Sequence, residues 1–167
     1  MIIGRLFCVG ALCSLLSACN LAERGEWSSS FATWNSLKAE NGDSYTYAST
    51  FSSWVGYVAT TRFTVVNGEV TERSFESSQR LEDETEQLES WTERGDELGE
   101  HEAGAPVRTV DEVYAACRDE VLIQNPFANS VGFETDERGL LAACYYVPNG
   151  CVDDCSRGVN ISELKFD

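Results

Sequence analysis

The cysteines constrain the fold of this chain more than any other sequence feature. Four of the seven lie in the last third of the 167 residues, at Cys117, Cys144, Cys151 and Cys155. Their spacing does not form the two CxxC knuckles of a zinc site, and His101 is the only histidine in the sequence. In an exported protein, an even set of four cysteines indicates two disulfides. We therefore expect two cross-links in the C-terminal part of the chain.

Residues 1–18 have the layout of a secretory signal. One cation, Arg5, precedes an apolar run from Leu6 to Leu16. This run is too short to cross a bilayer, because a transmembrane helix needs about 20 residues. The tetrapeptide Leu16-Ser17-Ala18-Cys19 resembles the lipobox of bacterial lipoproteins. The alternative is an ordinary secretory signal that happens to be followed by a cysteine.

The lipobox resemblance implies that Cys19 is the membrane anchor. In such proteins the cysteine thiol carries diacylglycerol, the signal is cut before it, and the new amino terminus is acylated. Cleavage would remove Cys8 and Cys13, and lipid on Cys19 would leave an even four for disulfides. The resemblance places the protein in the bacterial cell envelope. Asn20 is not the aspartate that commonly retains lipoproteins in the inner membrane, so we expect the outer membrane.

The charge of the chain restricts its partners. The sequence has 28 acidic residues against 12 basic ones, and Arg5 lies within the predicted signal. Such an excess of negative charge argues against nucleic acid and against anionic headgroups as ligands. We expect basic, cationic or uncharged partners. Residues 19–26 are predicted to form a tether between the membrane and a single domain of residues 27–167.

The hydrophobic spacing predicts two helices. The first carries an aromatic stripe and ends at Asn41-Gly42, and its stripe residues are Trp27, Phe31, Trp34 and Leu37. The second opens with a capping box formed by Thr109 and Glu112. Its apolar face contains Val110, Val113, Tyr114, Cys117 and Val121.

Strand-like patterns fill most of the remaining sequence. Asn67-Gly68 predicts a type I′ hairpin in which Val65 pairs with Val70. In that register Phe75 falls on the face opposite Phe63, so we expect a bulge or a sheet covered on both sides. Further strands are expected at residues 45–51, 86–92 and 159–166, with a hairpin turning at 136–139. The acidic residues 76–105 are interpreted as a solvated strand plus loop rather than a functional acidic tail.

These elements predict an α+β fold, an antiparallel β-sheet with two α-helices packed on one face and two disulfides. Cys117 lies on the buried helix face and Cys144 on an apolar strand face, which predicts a helix-to-sheet bridge between them. Cys151 and Cys155 flank the loop sequence VDD and are predicted to form the second bridge.

The order of motifs resembles small bacterial envelope lipoproteins that carry a domain of unknown function. The resemblance rests on the tryptophan helix before SYTY, on the VVNGEV hairpin and on the TVDEVY helix, and it covers nearly all of the chain after the signal. Many members have a Cys-x-Cys after the first tyrosine strand, where this chain reads TFSSWVG. The layout is more remotely similar to lipoproteins that assist outer-membrane assembly and to secreted β-lactamase inhibitors.

The sequence predicts no catalytic residue, metal ligand or cofactor. HEAGA, which begins at His101, lacks the second histidine of a zincin, and neither GxSxG nor GxGxxG occurs. Trp54 and Tyr57 in FSSWVGYV form a candidate interaction surface, unless they pack back onto the sheet. The final loop offers oxygen atoms from Asn149, Asp153 and Asp154 that could bind calcium, but without EF-hand spacing.

The resulting functional hypothesis is a membrane-anchored, non-enzymatic module that binds or scaffolds another envelope component. Its expected partners are the membrane, through the lipid anchor, and an envelope protein, with no role for nucleic acid. An enzyme of unrecognised type and a calcium-binding protein are the alternatives.

Overall fold

A computed structural model describes residues 19–82 and 84–167, with side chains from Ala22 onward. The predicted signal, residues 1–18, lies outside the described residues. Helix α1 begins at Cys19, whose side chain is likewise outside the description. Within these two ranges, every helix is too short or too polar to cross a membrane.

Residues 19–82 and 84–167 form two α-helices and eight strands. In order they are α1 (Cys19–Asn41), β1 (Tyr45–Ser52), β2 (Tyr57–Val66), β3 (Glu69–Leu81), β4 (Glu84–Arg94), α2 (Val110–Ala116), β5 (Asn129–Thr135), β6 (Leu141–Pro148), β7 (Arg157–Asn160) and β8 (Ser162–Phe166). A 3-10 turn, Gly95–Glu97, follows β4, and a π-helical turn, Cys117–Val121, continues α2. The predicted α+β class is confirmed. The strands, however, divide into two antiparallel sheets, β4-β3-β2-β1-β8 and β5-β6-β7, where we expected one.

The aromatic stripe of α1 faces the core as predicted. Trp34 is fully buried, with its ring 5.1 Å from that of Tyr45 and 5.7 Å from that of Phe166. The helix ends at Asn41 because Gly42 adopts a φ of 93° while its N–H donates to Lys38 O at 2.8 Å. At its other end the helix includes residues 19–26, so the segment predicted as a tether is helical.

The β2–β3 hairpin has the predicted turn and the predicted bulge. Asn67 and Gly68 have φ values of 52° and 82°, as a type I′ turn requires. Val65 pairs with Val70, but the next pair joins Thr64 to Glu72, so Thr71 is the extra residue. The bulge turns Phe75 onto the same face of the sheet as Phe63.

Both helices pack on one face of the five-stranded sheet, as expected. That inner face carries buried aromatic residues of β1 and β2, such as Tyr45 and Phe63, while the outer face is polar and includes Arg62. Tyr114 of α2 connects three elements. Its hydroxyl lies 2.7 Å from Ser30 Oγ of α1 and accepts a hydrogen bond of 2.8 Å from the Leu141 N–H of β6.

Helix α2 begins at the predicted capping box. Glu112 N donates to Thr109 Oγ1, and Thr109 N donates to the Glu112 carboxylate. The apolar face is buried as expected, and the residues on it are Val110, Val113, Tyr114, Cys117 and Val121.

The last predicted strand is divided between the two sheets. β7 pairs with β6, whereas β8 pairs with β1, and Ile161 lies between them. At this division the Asn160 amide binds the backbone of β1. Its Oδ1 accepts from Thr50 N at 2.9 Å and its Nδ2 donates to Thr50 O at 3.0 Å. The two sheets therefore share one continuous run of chain but diverge on either side of it.

Both predicted disulfides are confirmed. Cys117 and Cys144 are buried, with Cα atoms 5.7 Å apart, and join the π-helical turn to β6. Cys151 and Cys155 lie in the loop between β6 and β7, with Cα atoms 6.3 Å apart. The first bridge ties α2 to the smaller sheet, and the second closes a short surface loop.

Removing the long bridge is expected to destabilise the protein more than removing the short one. The sequence separations are 27 and 4 residues. The chain-entropy relation then gives about 3.6 kcal/mol for Cys117–Cys144 and about 2 kcal/mol for Cys151–Cys155. Urea unfolding of the two double alanine variants measures the difference, with non-reducing peptide mapping to verify the remaining bridge. An equal or larger loss for Cys151→Ala/Cys155→Ala would contradict this ranking.

Candidate functional site

A cleft of about 620 Å³ lies between the two sheets. Its floor is the part of the inner face that the helices leave uncovered, and includes Ser49, Phe51, Tyr57, Ala59 and Thr61. One wall is the loop of residues 103–106, and the other is formed by β6 and β7. The cleft exists because the chain passes from the smaller sheet in β7 to the larger sheet in β8, and the two sheets diverge from this point.

Two glycines of the smaller sheet leave the space that the Tyr145 side chain occupies in the cleft wall. Tyr145 on β6 pairs with Gly132 on one side and Gly158 on the other. A Cβ at Gly132 would lie only 2.6 Å from the Tyr145 ring, so the ring occupies the space above that glycine. The Tyr145 hydroxyl donates to Glu134 Oε1 at 3.1 Å, which raises the pKa of Tyr145 and keeps it a neutral donor.

The opposite wall is held by a buried ion pair between β3 and β4. Arg73 and Glu93 are only 3% and 1% exposed. Arg73 Nε lies 2.8 Å from Glu93 Oε2, and Nη2 lies 3.0 Å from Oε1. The guanidinium also donates to His101 O at 2.8 Å and to Ala105 O at 3.2 Å. Since Ala105 belongs to the loop and His101 lies just before it, the ion pair fixes the loop against the sheet.

Glu93 completes the attachment of this loop. It accepts hydrogen bonds from Gly99 N at 2.8 Å and from His101 N at 2.7 Å, and His101 Nδ1 lies 2.9 Å away. Burial alone would raise the pKa of Glu93. The hydrogen bonds from Gly99, His101 and Arg73 outweigh that effect and lower the pKa to about 2.

Small residues let the loop approach the sheet closely. Ala105 N donates to Thr61 Oγ1 at 2.8 Å. Gly104 has a φ of 85°, and a Cβ there would lie 2.9 Å from Thr61 Oγ1. A glycine is therefore required at this point of the wall.

The interpretation of residues 76–105 as a solvated strand plus loop is correct for most side chains of β4 and of the loop, but it missed the buried Glu93. Nearly all residues of β4 are exposed, but Glu93 and the loop after it are engaged by Arg73. The sequence feature that points to this buried ion pair is the predicted bulge in β3. Once it turns Phe75 inward it also turns Arg73 inward, and a buried guanidinium requires an acidic partner.

Of the two residues predicted as an interaction surface, Tyr57 lines the cleft, whereas Trp54 lies beside it, in a neighbouring depression with Val58 and Arg80. Trp54 is 76% exposed, so the alternative that it packs back onto the sheet is wrong. Its Nε1 donates to Asp153 Oδ1 at 2.7 Å, and Ser53 Oγ donates to Asp154 Oδ2 at 2.7 Å. Tyr57 is half-buried in the cleft floor. The β1–β2 loop and the disulfide loop thus form one rim, although 99 residues separate Trp54 from Asp153.

The residues considered for calcium serve other contacts. Asp153 and Asp154 accept the hydrogen bonds from Trp54 and Ser53, and Asn149 Nδ2 donates to Phe127 O at 2.9 Å. Within residues 19–82 and 84–167, no three His, Cys, Asp or Glu side chains are grouped as a metal site would require.

The cleft can accept an elongated ligand with aromatic or aliphatic groups. Phe51, Tyr57 and Tyr145 provide apolar area, while Ser49 and Asn160 provide hydrogen-bonding groups. Asp154 is the one charged side chain among the described residues that line it. The charge at this site therefore favours a neutral or cationic ligand.

Comparison with known proteins gives no relative from which function could be transferred. No family model, no curated protein and no solved structure matches this chain.

The depressed pKa of Glu93 predicts a loss of stability in acid. A carboxylate whose folded pKa is about 2, against an ordinary 4.5, stabilises the fold fully above about pH 4.5 and loses this contribution as the pH falls to 2. The contribution is about 3 kcal/mol. Urea unfolding between pH 2 and 6 should show this slope in the wild type and in Glu89→Gln, which changes an exposed residue of the same strand.

Glu93→Gln should lose the slope. It should also be about 3–5 kcal/mol less stable at pH 7, because Arg73 remains buried without a counter-charge. If that variant does not fold, Arg73→Met/Glu93→Leu removes both charges and must also lose the slope. A double variant with the wild-type dependence would contradict the role of this pair.

Proposed function

We propose that this chain is a lipid-anchored lipoprotein of the bacterial cell envelope whose domain binds another envelope protein in the cleft. The observation that carries the proposal is the position of Trp54. It is held in an exposed conformation by Asp153, and the neighbouring Asp154 lines a cleft that the described part of the chain leaves open. A large aromatic side chain kept out of the core by a specific hydrogen bond is a typical anchor for a partner.

Two features support location in the envelope. The lipobox-like Leu16-Ser17-Ala18-Cys19 supplies a site for lipid. The two disulfides require an oxidising compartment to persist, and an exported protein meets one. The outer membrane is the proposed destination because Asn20 follows the cysteine.

The proposed ligand is an extended segment of a protein that carries a lysine or arginine next to an apolar side chain. The aromatic floor fits the apolar side chain, and Asp154 at the mouth fits the cation. The overall excess of acidic residues would also attract a basic partner and accelerate its association.

The ionisable groups around the cleft favour contact over catalysis. The raised pKa of Tyr145 leaves its hydroxyl protonated, so it donates a hydrogen bond rather than accepting a proton. The carboxylates of Asp153 and Asp154 are occupied in holding the rim together. These groups fix the shape of the site. The alternative is an enzyme of unrecognised type, and the binding experiment below distinguishes it from a binding module.

Loss of the anchor cysteine should release the protein from the membrane. Stable anchoring requires two or more acyl chains, since one chain holds only marginally. We expect wild-type protein in the outer-membrane fraction with acyl mass on Cys19, and Cys19→Ser outside that fraction. Cys13→Ser, within the predicted signal, is the matched control and should fractionate as wild type. Wild-type protein without acyl mass, or Cys19→Ser still in the membrane fraction, would contradict the anchor.

Loss of Trp54 should weaken binding of the partner. A benzophenone cross-linker at Tyr57 would capture the partner in the envelope, and the captured segment would then be synthesised for titration. Trp54→Ala should reduce its affinity by about 30-fold, the effect of losing an interface anchor. Leu88→Ala removes an exposed apolar side chain from β4 and should leave the affinity unchanged. Equal affinity for all three proteins, or hydrolytic turnover that Asp154→Asn abolishes, would contradict the proposal.

A further inference from the structure

The contacts between the two helices show which part of the domain lies nearest to Cys19. Three contacts pair residues in reverse order along α1 and α2: Lys38 with Asp111 at 2.7 Å, Ser30 with Tyr114 at 2.7 Å, and the Trp27 ring with the Arg118 guanidinium at 5.6 Å. α2 is therefore antiparallel to α1. The chain that follows Arg118 approaches the end of α1 where Cys19 lies.

Strand β5 gives an independent measure of the same position. A Cβ built on Gly139, in the turn after β5, would lie 4.0 Å from Thr33 Oγ1, so this turn is level with Thr33 of α1. From Thr135 back to Asn129 the strand covers about 20 Å. The same length corresponds to about 13 residues of helix, which leads from Thr33 to the first turn of α1. The loop of residues 122–128, which precedes β5, is thus level with Cys19.

This loop presents two apolar side chains to solvent. Ile123 is 61% exposed and Phe127 is 68% exposed. The backbone that carries them is fixed, because Phe127 N donates to Asn125 Oδ1 at 2.9 Å and Phe127 O accepts from Asn149 Nδ2 at 2.9 Å. The sequence has no charged residue from Leu122 to Phe133. In a strongly acidic chain, this loop is therefore itself neutral and apolar.

We infer that the loop of residues 122–128 is the membrane-facing surface of the domain, where Ile123 and Phe127 enter the lipid interface. The inference rests on the proposed acylation of Cys19. Acyl chains on that cysteine would hold the first turn of α1 at the bilayer surface, and the loop lies at the same level. The helical conformation of residues 19–26 makes the attachment short and stiff, so the loop is brought to the lipid rather than left at the end of a flexible tether.

The charge distribution favours lipid as the occupant. Acidic side chains near a bilayer are repelled by anionic headgroups over about 10 Å at moderate salt. An uncharged loop avoids that cost, and its aromatic and aliphatic side chains gain by leaving water for the interface.

Vesicle partitioning of a singly acylated chain tests this orientation. The mature chain, with both disulfides formed, is alkylated at Cys19 with one hexadecyl group and titrated with phosphatidylcholine vesicles. One chain gives weak, reversible binding, so a second contact is measurable. Ile123→Ser/Phe127→Ser should bind about tenfold more weakly than the wild type. The matched control, Val66→Ser/Leu88→Ser, removes two exposed apolar side chains of the larger sheet and should change binding less than about twofold.

Hydrogen exchange supplies a measurement on the unaltered sequence. Amides of residues 122–128 should exchange more slowly in the alkylated wild type on vesicles than in the unalkylated chain in buffer. Unchanged partitioning of Ile123→Ser/Phe127→Ser, an equal loss in the control, or no protection of the loop would overturn the inference. Because the acyl chain is attached chemically, these results do not depend on lipid attachment in the cell, which the acyl mass on Cys19 tests separately.

Discussion

The divided pairing of residues 157–166 is the constraint on which the cleft depends. β7 belongs to the smaller sheet and β8 to the larger one, so the sheets are joined at one edge and diverge from it. At the division, the Asn160 amide replaces a backbone partner for Thr50 and satisfies both of its main-chain groups. Beneath the cleft, one core connects α1, α2 and both sheets, and the Cys117–Cys144 bridge locks α2 to β6. The opening is therefore fixed by covalent and hydrogen-bonded contacts before any ligand arrives.

A second constraint comes from the Arg73–Glu93 pair, which holds the end of an acidic segment in place as one wall of the cleft. Burying two charges is costly, and an isolated buried pair is often no more stable than an apolar substitute. Here the pair also bonds backbone groups of Gly99, His101 and Ala105. Its contribution to the stability of the fold therefore includes the ordering of a loop that has few apolar residues of its own. The Trp91 ring stacks on the His101 ring, with centroids 4.3 Å apart, and covers the loop at that residue. The remaining acidic side chains stay in solvent, where they repel anionic partners and attract basic ones.

Local signals in the sequence were sufficient for much of the fold. Asn67-Gly68 fixed a hairpin because few residues allow two consecutive positive φ values, and Thr109 with Glu112 marked the start of α2. The two disulfides followed from an even number of cysteines and from the faces on which Cys117 and Cys144 lie. The alternation in VNISELKF changes phase between Ile161 and Leu164, but this change fits a bulge in one strand as well as a change of sheet, and the choice of partner strand is made by distant residues. The rim could not be predicted from the sequence either, because no local sequence feature connects Trp54 with Asp153.

The proposed binding cleft and the proposed membrane-facing loop together place the domain on the bilayer with a rigid site open to a neighbouring protein. Hydrogen exchange of the mature domain, with and without the segment captured through Tyr57, tests the role of the cleft most directly. Bound segment should slow exchange in residues 49–57 on one side of the opening and in residues 153–160 on the other, while β4 and residues 122–128 remain unchanged. Protection confined to β4, with residues 49–57 and 153–160 exchanging as in the free domain, would show that the partner binds elsewhere.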